Sequence, residues 1–117
     1  MSDLHLDSAV LTALQDVMED EYPVLLDTYL TDSEERLRLL RQAMSKADAH
    51  SLRLAAHCFK GSCSNMGAPI LAGLCKQLEE VGRRELLAEA PELIEQIERE
   101  FAIVRILFKS ERQRYTA

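Results

Sequence analysis

Apolar residues recur at three- and four-residue spacing along almost the whole chain, with charged residues between them, and no stretch alternates long enough to build a sheet. A few turn signals break the pattern into five predicted helices. The first runs from about Asp7, a plausible N-cap, to about Glu19, with Val10, Leu11, Leu14, Val17 and Met18 on its apolar side. The second opens at Tyr22-Pro23, where proline is tolerated in a first turn, and carries Leu25, Leu26, Tyr29, Leu30, Leu37, Leu40 and Met44 inward to about Lys46. Asp48 caps a third, which ends at Asn65-Met66-Gly67, glycine suiting the left-handed position after a helix. Pro69 opens a fourth helix, which carries Leu71, Leu74, Cys75, Leu78 and Val81 and fades near Gly82. Pro91 opens a fifth with Leu93, Ile94, Ile97, Phe101, Val104 and Phe108 inward, and the polar tail after about Ser110 is expected to fray. Short connections favour antiparallel neighbours. The expected fold is therefore all-α: an antiparallel four-helix bundle with its core at about 22–110, a short additional N-terminal helix at about 7–19, and residues 1–117 forming one domain.

Composition narrows the partners more than the fold. With 47% hydrophobic and 29% charged residues, the 117-residue chain has an ordinary globular make-up. Its net charge of −6 repels nucleic-acid phosphates and anionic lipid, and no Lys/Arg run is large enough to offset it, so the expected partner is protein. The opening residues Met1-Ser2-Asp3-Leu4-His5-Leu6-Asp7 lack the basic region and apolar run of an export signal, and no later stretch could span a bilayer. A cytoplasmic monomer is expected. Cys58, Cys63 and Cys75 are odd in number and lack C-x-x-C spacing, which points to small buried hydrophobes rather than disulfides or a zinc site. His50 precedes His57 by two helical turns, about 10 Å along the axis, too far to share one cation, so no metal site is expected. Leu11, Leu14 and Met18 are either core or an exposed docking patch, and stand as candidate partner-binding residues.

The chemistry concentrates in Ala56-His57-Cys58-Phe59-Lys60-Gly61-Ser62-Cys63-Ser64-Asn65-Met66-Gly67-Ala68. At about 100° per residue, His57, Lys60, Gly61 and Ser64 share an arc of about 100°, opposite Leu52, Ala55, Phe59, Ser62, Cys63 and Met66. A neutral imidazole is a nucleophile that can carry a phosphoryl group on one ring nitrogen and release it again. Lys60, one turn on, can set an ammonium beside the phosphoryl oxygens. Gly61 costs about 1 kcal/mol relative to alanine inside a helix, and the absence of a side chain beside the histidine lets a partner approach closely. Ser64 offers a hydroxyl to a phosphoryl oxygen, and is equally at home in a helix end. On these residues alone, a phosphate-carrying histidine and an unmodified adaptor surface both remain open.

This segment resembles the signature of histidine-containing phosphotransfer (HPt) domains, roughly A-H-x-[LF]-K-G-[SA]-x-x-N-[LIVM]-G-A, and fills every fixed position of it. Leu71, Leu74, Cys75, Leu78, Glu79, Gly82 and Arg83 continue the resemblance, which is to stand-alone bacterial members. It implies a phosphorelay intermediate that takes a phosphoryl group from the aspartate of one receiver domain, on a hybrid sensor kinase, and passes it to that of a response regulator. His57 maps to the phosphorylated histidine, Lys60 to the charge-neutralising lysine and Gly61 to the clearance glycine. Some members place a glutamine on the next helix against the imidazole, a position that corresponds to Glu79. A glutamate there could accept from the Nδ1 hydrogen and leave Nε2 free to attack, and it would also favour the protonated, non-nucleophilic ring. His57 lies ten residues before Gly67 and Glu79 twelve after it, so the two can stand at similar height on adjacent helices. With no phosphate loop or kinase glycine loop in the chain, a carrier without autokinase or ATP-binding activity is expected, with no cofactor of its own and with Mg²⁺ brought by the receiver.

Overall fold

Asp7 and Asp48 act as their positions predict: the Asp7 carboxylate accepts from the Ala9 and Val10 amides, and that of Asp48 from the Ser51 amide. The structure, a computed structural model, describes residues 4–115. Its helices are α1 (Ser8–Met18), α2 (Tyr22–Ser45), α3 (Ala49–Asn65), α4 (Pro69–Arg83) and α5 (Ala90–Gln113), with single 3₁₀ turns at Glu19–Glu21 and Leu87–Glu89 that the apolar pattern did not announce. Helices α2 to α5 form the bundle, and no strand occurs among the described residues.

The apolar stripes meet along the bundle axis. Leu26, Leu40, Leu52, Phe59, Leu71, Leu78, Ile97, Val104 and Phe108 are fully buried, each contributing roughly 1.5–3 kcal/mol by leaving water. Tyr29 sets its ring edge-on to Phe108 at 5.1 Å, and its hydroxyl lies 3.2 Å from Cys63 Sγ. Outside the core, Asp27–Arg112, Glu34–Arg105 and Arg41–Glu98 pair α2 with α5 at seven-residue steps running in opposite directions, which records the antiparallel register.

Helix α1 lies across the end of the bundle that holds the α3–α4 turn. The Asp7 amide donates to the Gly67 carbonyl at 2.7 Å, and Leu6 and Leu11 are buried beneath it. Leu14 and Met18 also pack against the core. Leu11 is therefore spent on the fold, while Leu14 and Met18 are only partly buried; α1 also exposes Val17, 79% accessible, which was expected inside. Helix α5 runs past Ser110, after which the polar tail was expected to fray, to Gln113. The Glu111 carboxylate accepts from the Tyr22 hydroxyl at 2.9 Å and from Gln15 Nε2 at 3.0 Å, so the last turn of α5 ties together α1 and α2. Burial, with Glu111 beside it, pushes the Tyr22 phenol up to about 12, so it remains a donor at any physiological pH.

Two glycines invite opposite expectations. Gly67 has φ +72°, and a Cβ there would stand 3.0 Å from the Val10 Cβ. Gly61, inside α3, has nothing within 4 Å of that position. Gly67→Ala is expected to destabilise the fold by about 2 kcal/mol, from the left-handed backbone and the collision together. Gly61→Ala is expected to stabilise it by roughly 0.5–1 kcal/mol through helix propensity. Urea denaturation of both variants beside the wild type checks the pair of signs.

Candidate functional site

The site depends on how closely two helices approach. Helix α4 ends at Arg83, next to Gly82 as expected, and the left-handed turn residue after it is Glu85, φ +57°. A Cβ on Gly82 would meet the Arg53 amide nitrogen at 3.0 Å and the Ala49 carbonyl at 3.1 Å. The bare Gly82 thus lets α4 run almost backbone to backbone against α3. One turn before it, Glu79 reaches α3 between two side chains of the predicted stripe.

The Glu79 carboxylate spans both of them. Its Oε2 lies 2.9 Å from His57 Nδ1, and its Oε1 accepts from Lys60 Nζ at 2.5 Å. The Lys60 hydrogen bond holds the Glu79 carboxyl below its ordinary value of 4.5, against a smaller opposing effect of burial and with a further lowering from His57. An ionised carboxylate has no proton to give, so Nδ1 is the donor in this contact and the lone pair of a neutral ring is on Nε2. The imidazole is the exposed member, its side chain 61% accessible, while Glu79 and Lys60 are 22% and 30% accessible. The structure thus sets His57, Lys60 and Glu79 in one hydrogen-bonded group, with Gly61 open to solvent beside them and Ser64 exposed in the last turn of α3.

Two grooves flank this group. One, of about 360 Å³, runs between α2 and α3 and is lined by Arg36, Leu39, Ala43, Leu54, Ala55 and Cys58 among others. The other, of about 620 Å³, contains Lys60 and Glu79 with Lys76, Arg83, Arg84 and Leu86. Cys63 and Cys75 are buried as expected, but Cys58 is exposed. Its position, off the stripe of Leu52, Phe59 and Cys63 by roughly a third of a turn, was the available signal, and the general burial habit of cysteine obscured it. Leu54, 46% accessible, shares its groove and was not singled out from the sequence. Among the described residues, no group of three or more His, Cys, Asp and Glu side chains is placed to hold a metal ion, and no helix is long and apolar enough to cross a membrane.

An exposed helical imidazole, oriented by a carboxylate and flanked by a lysine on an antiparallel bundle, is the architecture of a phosphoryl carrier. The chain belongs to the Hpt domain family, whose model matches residues 24–107. Among solved structures it is similar to the crystal structure of histidine-containing phosphotransfer protein B (HptB) from Pseudomonas aeruginosa PAO1. The two are 68% identical, the match covers 97% of this chain and 99% of that one, and the TM-score is 0.96. No curated protein matches the chain significantly. Family and fold together make it a histidine phosphotransfer intermediate of two-component signalling.

Glu79 is expected to titrate below 4.5, because its folded value is depressed; its pairing is intact above the ordinary carboxylate range and is lost as pH falls through the depressed value. In Lys60→Ala the midpoint should rise toward the ordinary value, since the lysine is the largest cause of the depression. Side-chain carboxyl NMR shifts followed against pH check both statements, and an unmoved midpoint in Lys60→Ala would contradict them.

Proposed function

We propose that His57 carries the phosphoryl group, with Nε2 as the attacking atom. The Nε2 lone pair forms a P–N bond as the acyl-phosphate O–P bond of a receiver aspartate breaks, and the electron pair of that bond leaves on the aspartate carboxylate. Glu79 holds the Nδ1 hydrogen throughout, which fixes the ring's orientation. Lys60 supplies positive charge to the phosphoryl oxygens, and Ser64 adds a hydroxyl farther along the same face. Gly61 leaves room for the receiver to close in line, since even a misplacement of about 1 Å can cost 10²-fold in rate. Transfer onward to a second receiver is the same step reversed.

The observation that carries this reading is the His57 Nδ1 to Glu79 contact on an otherwise exposed imidazole. The chain is a carrier without autokinase or ATP-binding activity. Its partners are receiver domains of hybrid sensor kinases and of response regulators, and Mg²⁺ enters with the receiver, whose acidic cluster binds it. The α2–α3 groove, where Leu39, Ala43, Leu54 and Ala55 lie among Arg36, Gln42, Lys46, Asp48 and Ser51 and which reaches Cys58 beside His57, suits a helix of the docking receiver better than the buried Leu11 does. We further read residues 1–117 as one domain acting as a monomer in the cytoplasm.

Incubation with a phosphorylated receiver domain and Mg²⁺, followed by mass spectrometry at neutral to basic pH, tests the reading. A single acid-labile phosphoryl adduct is expected on the wild type and none on His57→Ala, whose far-UV circular dichroism should match the wild type. Receiver binding with no adduct on the wild type would instead identify a non-phosphorylated adaptor.

A further inference from the structure

In the unphosphorylated protein the cation assigned to the phosphoryl group is already engaged. Lys60 Nζ lies 2.5 Å from Glu79 Oε1, and the other oxygen of the same carboxylate takes the Nδ1 side of His57. A lysine has one compact charge on a flexible stem, so it cannot face Glu79 and a phosphoryl group on the far ring nitrogen with equal strength. We propose that Glu79 is a competitor for Lys60: phosphorylation draws the ammonium from the carboxylate to the phosphoryl oxygens, and the ion pair lost in that exchange keeps the phosphohistidine at a higher transfer potential than the lysine alone would allow. This rests on His57 being the phosphorylated residue.

A neutral glutamine at this position would orient the ring through its carbonyl oxygen while leaving Lys60 free. The carboxylate adds a cost to the phosphorylated state only, which suits a carrier that must give the group up as readily as it takes it. Lys60 and Glu79 are both well under half exposed, so the pair belongs at the upper end of the range for surface ion pairs, equivalent to roughly fivefold in an equilibrium constant. Arg83 pairs with Glu80 one turn beyond Glu79, and Lys76, on the opposite side of Glu79 in the sequence, is exposed.

Phosphoramidate, a small P–N donor, allows a test without a protein partner. His57 Nε2 forms the new P–N bond as the donor's own P–N bond breaks and ammonia leaves, so a fixed phosphoramidate-to-ammonium ratio sets the equilibrium. Phosphorus-31 NMR then reads the ratio of phosphorylated to free protein. That ratio is expected to be about fivefold higher in Glu79→Gln than in wild type, and the same substitution should change it by a smaller factor in a Lys60→Ala background, because the two residues act through one another. An equal factor in both backgrounds, or no change in either, would overturn the competition while leaving His57 as the carrier. No adduct on His57 in any of the four proteins, each shown folded by circular dichroism, would overturn the phosphohistidine reading itself and this inference with it.

Discussion

Everything at the site depends on the distance between α3 and α4. Backbone lies against backbone where Gly82 passes Ala49 and Arg53, and at the other end the left-handed Gly67 turns the chain while receiving the Asp7 amide. Between these two constraints the helices run antiparallel at a fixed height, and the carboxylate of one reaches the imidazole and ammonium of the other. A side chain at Gly82 would push α3 and α4 apart or rotate them, and a hydrogen bond of 2.9 Å tolerates little of either, whereas one at Gly67 would collide with Val10 and Asp7. The buried Leu52, Phe59, Leu71 and Leu78 hold the inner faces of the same two helices together, so the core and the site share one geometry.

That shared geometry explains why a rigid bundle suits this task. In the proposed role the reactive nitrogen is presented to different receivers in the same orientation, with one side of the ring held and the other left bare. Glu79 supplies the hold, while the exposed His57 and Gly61 leave the approach clear. The charge balance is local: the chain carries a net charge of −6, and in the groove beside Glu79 the cations Lys60, Lys76, Arg83 and Arg84 lie among Glu79, Glu80 and Glu89, with Lys60 and Arg83 paired to the first two.

The helices were legible in the sequence because their ends carry local chemistry. Asp7, Asp48, Gly67 and Pro69 act within a few residues of themselves, and the stripe of His57, Lys60 and Gly61 follows from helical periodicity alone. Glu79 entered through the family resemblance, and counting outward from the turn put it at a height similar to that of His57. What could not be read depends on partners distant in the chain. Gly82 signals the nearby helix end, and only the presence of Arg53 and Ala49 shows that it also admits a neighbouring backbone. The last turn of α5 is tied by Glu111 to Tyr22 and Gln15, some ninety positions away. The pairs between α2 and α5 require the register of two helices, and the exposure of Cys58 and Val17 reflects what does not pack against them.

The central claim is that Glu79 fixes the imidazole by Nδ1 so that Nε2 carries the phosphoryl group. A two-dimensional ¹H–¹⁵N spectrum of the imidazole nitrogens in the phosphorylated protein tests it most directly, because the two ring positions give different coupling patterns to the ring hydrogens. The account predicts phosphorus on His57 Nε2 with hydrogen retained on Nδ1; phosphorus on Nδ1, or on any other residue, would contradict it.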